Sequence, residues 1–213
     1  MIHEILAQYP LCPITTKAQL VRHLQFCHAL MVATDPLLDL AGMDNKREEE
    51  KGHALWLEQD LANLGIPTIP YDFSAAAIAG AQYYWVQHLD PRVLLGYCAV
   101  LECRTFTSAQ VDVMESILGP LPCVRFHAEH DLQHGAEVLK QIDAIENETV
   151  KQWIYCNARD TASAIAAVTH IRFAQEPRHD GSDQSHEPTP AYCDGLADAA
   201  GHDTARYGHI GRA

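Results

Sequence analysis

The stretch FHAEHDLQHG, residues 126–135, places His127, Asp131 and His134 at i, i+4 and i+7. At 3.6 residues per turn these three side chains leave one side of a single helix. Two imidazoles and a carboxylate aimed at one point form half of a metal site. Taken alone, the triplet also fits a solvated, charge-rich helix face. The choice between these readings rests on what the rest of the chain supplies.

A second half-site lies upstream in REEEKGHALWLEQDLANLG, residues 47–65. Asp44 or Asn45 opens this helix, and acidic residues early in it suit the helix dipole. Gly65 ends it, with Pro67 beyond. Its apolar stripe is Ala54, Leu57, Leu61 and Leu64, and Glu50 and His53 fall on the same stripe while Glu48 and Glu49 fall off it. A third contribution comes from RVLLGYCAVLECRTF, residues 92–106, where the run Leu94–Cys103 carries a single charge, Glu102. A carboxylate buried there needs a proton, a cation or a metal. Pairing with nearby Arg104 is the ordinary alternative.

The remaining chain reads as helices joined by turns. Residues 1–16 give a short helical lead and a Pro-containing turn. Thr16 can cap a long helix, KAQLVRHLQFCHALMVATDPLLDLAG, which Pro36 would kink or break and Gly42 would stop. His23 and His28 in that helix read as packed or surface histidines. SAAAIAGAQYYWVQHL (74–89) is a helix whose small residues allow close approach of a neighbour, with Tyr83, Tyr84 and Trp85 as core or pocket wall. SAQVDVMESILG (108–119) is a shorter helix. Further helices span about 122–143, which includes the opening stretch, and 145–174. No period-two strand pattern, glycine-rich phosphate loop or internal repeat occurs. The expected architecture is an all-α bundle of six to seven helices over residues 1–174.

From Gln175 the composition turns to Gly, Pro, Ser, Asp and His, which cannot bury enough apolar surface to offset ordering entropy. Residues 175–213 are therefore expected to be a disordered tail. Its histidines at 179, 186, 202 and 209 sit at no ligand spacing.

Charge and composition narrow the function. With 15 basic against 28 acidic residues the net charge is −13. Nucleic-acid phosphate and anionic membrane surfaces repel such a chain. No run approaches the ~18 apolar residues of a membrane span, and the N-terminus lacks the basic flank of a signal peptide. These features lead to the expectation of a soluble, cytoplasmic protein. Seven cysteines (12, 27, 98, 103, 123, 156 and 193), odd in number and without a CxxC pair, argue against both a disulfide framework and a zinc ribbon.

Three helices thus offer Glu50 and His53, then Glu102, then His127, Asp131 and His134. Oxygen and imidazole donors without thiolate suit iron or manganese. Six protein ligands suit two ions bridged by a carboxylate, as in helical bundles with carboxylates on facing helices.

The combination of EEEKGHALWLEQDLANLG, LLGYCAVLE and FHAEHDLQH, spanning about residues 17–174, resembles the heme-oxygenase-like diiron oxidases and oxygenases. Their fold is shared with heme oxygenase and the thiaminase-type TenA proteins. The resemblance implies two Fe(II) ions, one of them labile, and O2 as cosubstrate, with a peroxo-diiron intermediate. The implied metal ligands are Glu50, His53, Glu102, His127, Asp131 and His134, with Glu50 a candidate bridge and Glu50, Glu102 and Asp131 the catalytic carboxylates. It further implies a small amino-acid-derived or fatty-acid substrate, undergoing N-oxygenation, desaturation or oxidative C–C cleavage. Separately from the resemblance, oligomeric state is open, with a homodimer as the working expectation. Two positions depart from the pattern. His130 lies near the edge of the ligand face, where it either competes with His127 or supports the ligands from behind, and the run Glu48-Glu49-Glu50 leaves the register of the first Glu open by a turn. Tyr83, Tyr84, Trp85 and Tyr97 are candidates to line the cavity. Two alternatives remain: a metal-independent TenA-like or PQQ-biosynthesis-like enzyme with Glu102 as acid or base and Cys98 or Cys103 as nucleophile, and a non-enzymatic helical binding protein.

Overall fold

The computed structural model describes residues 1–10, 13–69 and 71–174, all within one compact unit, Met1–Glu176. The expected disordered tail at 175–213, with its histidines, lies outside the described residues, as do Cys12 and Cys193. The described elements are α1 (Ile2–Gln8), α2 (Lys17–Leu40), α3 (Asp44–Glu50), α4 (His53–Asn63), α5 (Phe73–His88), a 3-10 turn (Pro91–Val93), α6 (Leu94–Glu102), α7 (Ser108–Leu118), α8 (Pro122–Asp143) and α9 (Glu148–Ala174). No strand occurs among them. The all-α expectation holds, but nine α-helices are described where six to seven were expected, and one unexpected break is instructive.

That break falls within the helix expected from residue 44 to Gly65. Lys51 is extended and Gly52 takes a left-handed conformation at φ +88°, so α3 ends at Glu50 and α4 starts at His53. Glycine both weakens a helix interior and accepts positive φ without penalty. Conversely, Pro36 does not break α2. The helix runs on to Leu40 because Leu37 and Leu38, in the turn after the proline, are fully buried. Their burial, worth about 2 kcal/mol each, offsets the lost helical hydrogen bond. Thr16 caps α2 as expected, in a reciprocal capping box with Gln19.

The centre of the bundle is α6, every residue of which is buried except Leu101. It can lie that deep because its backbone bonds are internal and its side chains are apolar up to Glu102. Gly96 lets α9 approach: a Cβ there would stand 2.3 Å from the Ile154 carbonyl oxygen. Beside it Gln82, Asn157 and Thr161 satisfy one another in a buried network, with Asn157 Nδ2 donating to Gln82 Oε1 at 2.6 Å. This ties α5 to α9.

Two apolar cores result. One gathers α1, α5, α6, α9 and the C-terminal half of α8 around Tyr97, Val138 and Ile154. The other joins the start of α2 to α4, α7 and the N-terminal turn of α8 around Leu24, Leu61 and Val124. On α8, Val124 belongs to one core and Val138 to the other. His127, Asp131 and His134 occupy the turns between them.

Candidate metal centre

Asp60, buried on α4, fixes the start of α8 by accepting from the Cys123 backbone N–H at 2.9 Å. A carboxylate at a helix N-terminus satisfies an otherwise orphaned donor and complements the dipole. Through this joint α4 and α8 cross with His53 and His127 in edge-to-face contact, ring centroids 4.8 Å apart. At the other end of the site α8 meets the C-terminus of α6, where His134 Nδ1 lies 3.7 Å from Glu102 Oε2.

All six residues singled out in the sequence come together in a closed circuit. Glu50 Oε2 lies 3.0 Å from His53 Nδ1. His53 packs on His127, whose Nδ1 is 2.8 Å from Asp131 Oδ1. Ligand atoms of Asp131, Glu102 and His134 lie within 4.8 Å of one another. From Glu102 the circuit returns to Glu50 through a residue the sequence reading missed: Lys46. Its Nζ pairs with Glu102 Oε1, lies 2.9 Å from Glu50 Oε1 and reaches Glu49 Oε2 at 3.1 Å. The Lys46 side chain is 9% exposed and that of Glu102 7%, so this is a buried ion pair. Arg104 is not the partner of Glu102; its Nη1 donates to the Ala162 carbonyl at 3.3 Å.

The carboxylates therefore define two cation positions. The first lies between Glu50 and Glu102, where the Lys46 ammonium sits. The second lies between Glu102, Asp131 and His134. Glu102 faces both, Oε1 toward the first and Oε2 toward the second. This places Glu102, more than Glu50, as the carboxylate shared between the positions. His130 points away: it is exposed, accepts no role in the circuit, and stacks on Phe126 at 4.1 Å.

Electrostatics reinforce the demand for positive charge. Burial pushes Glu102 up to about 8, against the pull of Lys46. Burial acts to raise Glu50 also, but His53 and Lys46 overcome it and hold that carboxyl well below the usual range. Burial acts to lower His127, yet Asp131 and Cys123 raise it to about 10. Its Nε2 is buried and has no hydrogen-bond partner among the described residues. Such an orphaned atom costs about 1–3 kcal/mol, and a metal ion in place of its proton removes that cost. By donor type and spacing Glu102, Asp131 and His134 fit one divalent cation, while the Lys46 ammonium fills the space between Glu50 and Glu102.

The circuit forms part of the wall of a cavity of about 430 Å³, within the range of small-molecule sites. Leu24, Phe26, Leu30, Met31, Leu57 and Phe106 make it largely apolar. The expected aromatic lining is corrected: Tyr84 is exposed and stacks on His88, and Tyr97 is core, hydrogen-bonded to Thr34 at 2.9 Å. Tyr83 and Trp85 also lie outside the lining. Residues from α2 and the segment after α6 take their place.

Two cationic or basic groups face this cavity away from the circuit. Arg104 has a buried Nη2 without a partner and, among the described residues, no carboxylate at ion-pair distance. His23 on α2 packs edge-on to Phe106 at 5.4 Å, with its Nε2 3.4 Å from Cys27 Sγ. Burial, and secondarily Arg172, lower His23 from 6.5 to about 4. The unfolded chain therefore binds a proton between those values that the folded chain refuses. Stability contributed by neutral His23 is present above pH ~6.5 and lost as pH falls toward ~4, by up to about 3 kcal/mol. In urea unfolding at pH 7 and pH 4.5, His23→Gln is expected to show a smaller loss of stability than the unaltered protein; equal losses would show that His23 does not titrate in this way.

No protein-family model matches the chain, and no curated protein is significantly similar to it. Among solved structures it is similar to a domain of unknown function with a heme-oxygenase-like fold from Shewanella denitrificans OS217, with a TM-score of 0.63 and 16% identity over 81% of this chain and 83% of that one. The fold is thus heme-oxygenase-like, all-α. No helix among the described residues is long and apolar enough to cross a membrane.

Proposed function

We propose that the protein is a non-heme, O2-activating oxidase or oxygenase that holds two ferrous ions on Glu50, His53, Glu102, His127, Asp131 and His134. The observation that carries this reading is the cluster of Glu102, Asp131 and His134, with Glu102 and Asp131 on the wall of an apolar cavity beside Glu50, His53 and His127. When bound, ferrous ions in such a carboxylate and imidazole site supply the electrons that reduce O2. The protein's part is to hold the donors, exclude water and orient the substrate. Phe26, Leu30 and Phe106 receive its apolar portion. Arg104 offers a guanidinium to an anionic group, which favours small acids, fatty or amino-acid-derived, as substrates.

A thiaminase-type hydrolase needs an activated thiol. Burial pushes Cys98 and Cys27 up to about 12 and Cys103 up to about 11, so all three stay protonated at neutral pH. His23 beside Cys27 is held neutral by the same burial and supplies no imidazolium to stabilise a thiolate. This chemistry counts against the thiol-dependent hydrolase.

The test is anaerobic loading with Fe(II), followed by mixing with O2 in the presence of aliphatic carboxylic acids, amino acids and their methyl esters. O2 uptake should require the metal and be accelerated by an acid more than by its ester. A folded protein that binds no Fe(II), or turnover that survives complete chelation, would sink the assignment.

A further inference from the structure

We infer that the cavity takes an aliphatic acid whose carboxylate is bound by Arg104 and His23 on the side toward α9, so that its methyl end is presented to the candidate metal residues. The inference rests on the reading of this cavity as the substrate site and concerns which end of the substrate lies where.

Arg104 and Glu102 are two residues apart but turn to different sides. Glu102 faces Lys46 on α3 and His134 on α8, whereas Arg104 Nη1 donates to the Ala162 carbonyl on α9 at 3.3 Å. Arg104 is half-buried and its Nη2 has no partner. A cation held at that depth without a counter-ion is costly, and an anion removes the cost. Neighbouring charges do not supply one. Arg172, also on α9, already pairs with buried Asp72, and Asp35 in the cavity wall is engaged by Arg47 at 3.0 Å.

His23 supplies a second donor on the same side. Its ring packs on Phe106, two residues beyond Arg104, and burial, followed by the charge of Arg172, disfavours its protonated form. Burial also keeps the Cys27 thiol protonated at neutral pH. The S–H then donates to His23 Nε2 across 3.4 Å, which leaves the imidazole proton on Nδ1. That Nδ1 is buried and has no partner. A guanidinium N–H and a neutral imidazole N–H, both lacking an acceptor, suit a carboxylate, which offers two oxygens and no proton. An ester would leave the Arg104 charge unpaired, and an ammonium would be repelled.

The apolar wall sets the direction of the chain. Leu24 adjoins His23, Leu57 lies one turn beyond His53, and both belong to one apolar core. With its carboxylate beside α9, an aliphatic chain follows this wall toward His53 and His127. A cavity of about 430 Å³ suits a chain of medium length.

The probe is decanoate, titrated by calorimetry into the whole chain stripped of metal, with methyl decanoate and decylamine as its uncharged and cationic counterparts. Decanoate should bind about tenfold more tightly than the ester, and the amine most weakly. Arg104→Met should erase the preference for the acid while holding ester affinity within about twofold, and Arg104→Lys, charged but not forked, should restore part of the preference. His23→Phe should weaken decanoate but not the ester, and His23→Gln, which keeps a donor, should recover it. His127→Gln should leave the preference in place, with far-ultraviolet circular dichroism verifying that each variant folds. A preference lost in His127→Gln and kept in Arg104→Met would put the carboxylate at the candidate metal residues and overturn the inference, as would equal binding of acid and ester by the unaltered protein. An Arg104-dependent preference in a protein that binds no Fe(II) would sink the oxidase assignment and leave this binding mode standing.

Discussion

Replacing Glu102 with glutamine is expected to abolish binding at both metal positions, whereas Glu50→Gln removes one. Glu102 alone presents an oxygen to each position, Oε1 toward that held by Lys46 and Oε2 toward His134. Glu50 faces only the first. Metal content after anaerobic Fe(II) loading and desalting should therefore fall from about two ions per chain to none in Glu102→Gln and to about one in Glu50→Gln. Equal losses in the two variants would show that the carboxylates are not arranged as a shared and an unshared ligand.

Removing the Glu102 side chain altogether has a consequence for stability without metal. Glu102→Ala leaves the Lys46 ammonium buried against Glu50 with its closest partner gone. Breaking a buried pair on one side costs about 3–5 kcal/mol. For a domain of this size that corresponds to a melting temperature lower by about 6–20 °C. Removing both charges should behave differently: Lys46→Met combined with Glu102→Leu fills a similar volume with apolar atoms and is expected to regain most of the loss while binding no metal. The unaltered protein, Lys46→Met, Glu102→Leu and the double variant then form a cycle whose coupling term reports the Lys46–Glu102 interaction directly.

This cycle also exposes the boundary of what could be read from the chain. The positions of α2, α7 and α8 follow from local signals that are strong in one dimension: Thr16 as a cap, Gly42 and Gly119 as stops, Pro122 in a first turn. Burial of Glu102 was legible as well, because one carboxylate closes an otherwise uncharged helix. Its counter-ion was not. Arg104 is near in sequence, but a residue two positions beyond the end of α6 points elsewhere, while Lys46 arrives from another helix entirely. Only helix crossing decides between them. The i, i+4, i+7 spacing of Lys46 with Glu50 and His53 was a usable clue, overlooked because an ammonium is not a ligand type.

Gly52 shows a similar limit from the other side. A glycine within EEEKGHALW signals a helix break as strongly as any residue here, yet the apolar stripe on either side of it argued for continuity. The break wins since Leu57 and Leu61 need to face the second core while Lys46 and Glu50 face Glu102. A left-handed residue lets the two segments differ in direction. The cavity lining was the least legible part. Aromatic residues on α5 were natural candidates by type, but α5 packs on α2 and α9 and contributes no residue to the lining, and helical spacing alone does not reveal which neighbour a helix finds.

Gly96→Ala is expected to be among the most damaging single substitutions in the chain, although it adds one methyl group. The new Cβ would lie 2.3 Å from the Ile154 carbonyl oxygen, 2.9 Å from the Ala158 backbone nitrogen and 3.1 Å from Asn157 Cβ. Two of these neighbours belong to the backbone of α9 and cannot rotate away, so α6 and α9 must separate. Overpacking typically costs about 1–3 kcal/mol, and a clash with rigid backbone belongs at or above the upper end. A fall in melting temperature of about 6 °C or more follows. Glu102 closes the same helix, so the shift should also loosen both cation positions and reduce metal affinity. Gly80→Ala is the control of opposite sign. Gly80 lies within α5, exposed, with nothing within 4 Å of an added Cβ. Alanine there lowers the entropy of the unfolded chain and should stabilise by about 0.5–1 kcal/mol. Thermal melts of the two variants side by side separate a general effect of alanine in helices from the close approach of α6 to α9; a Gly96→Ala protein as stable as the parent would mean that the approach, and the depth at which α6 carries Glu102, is not as described.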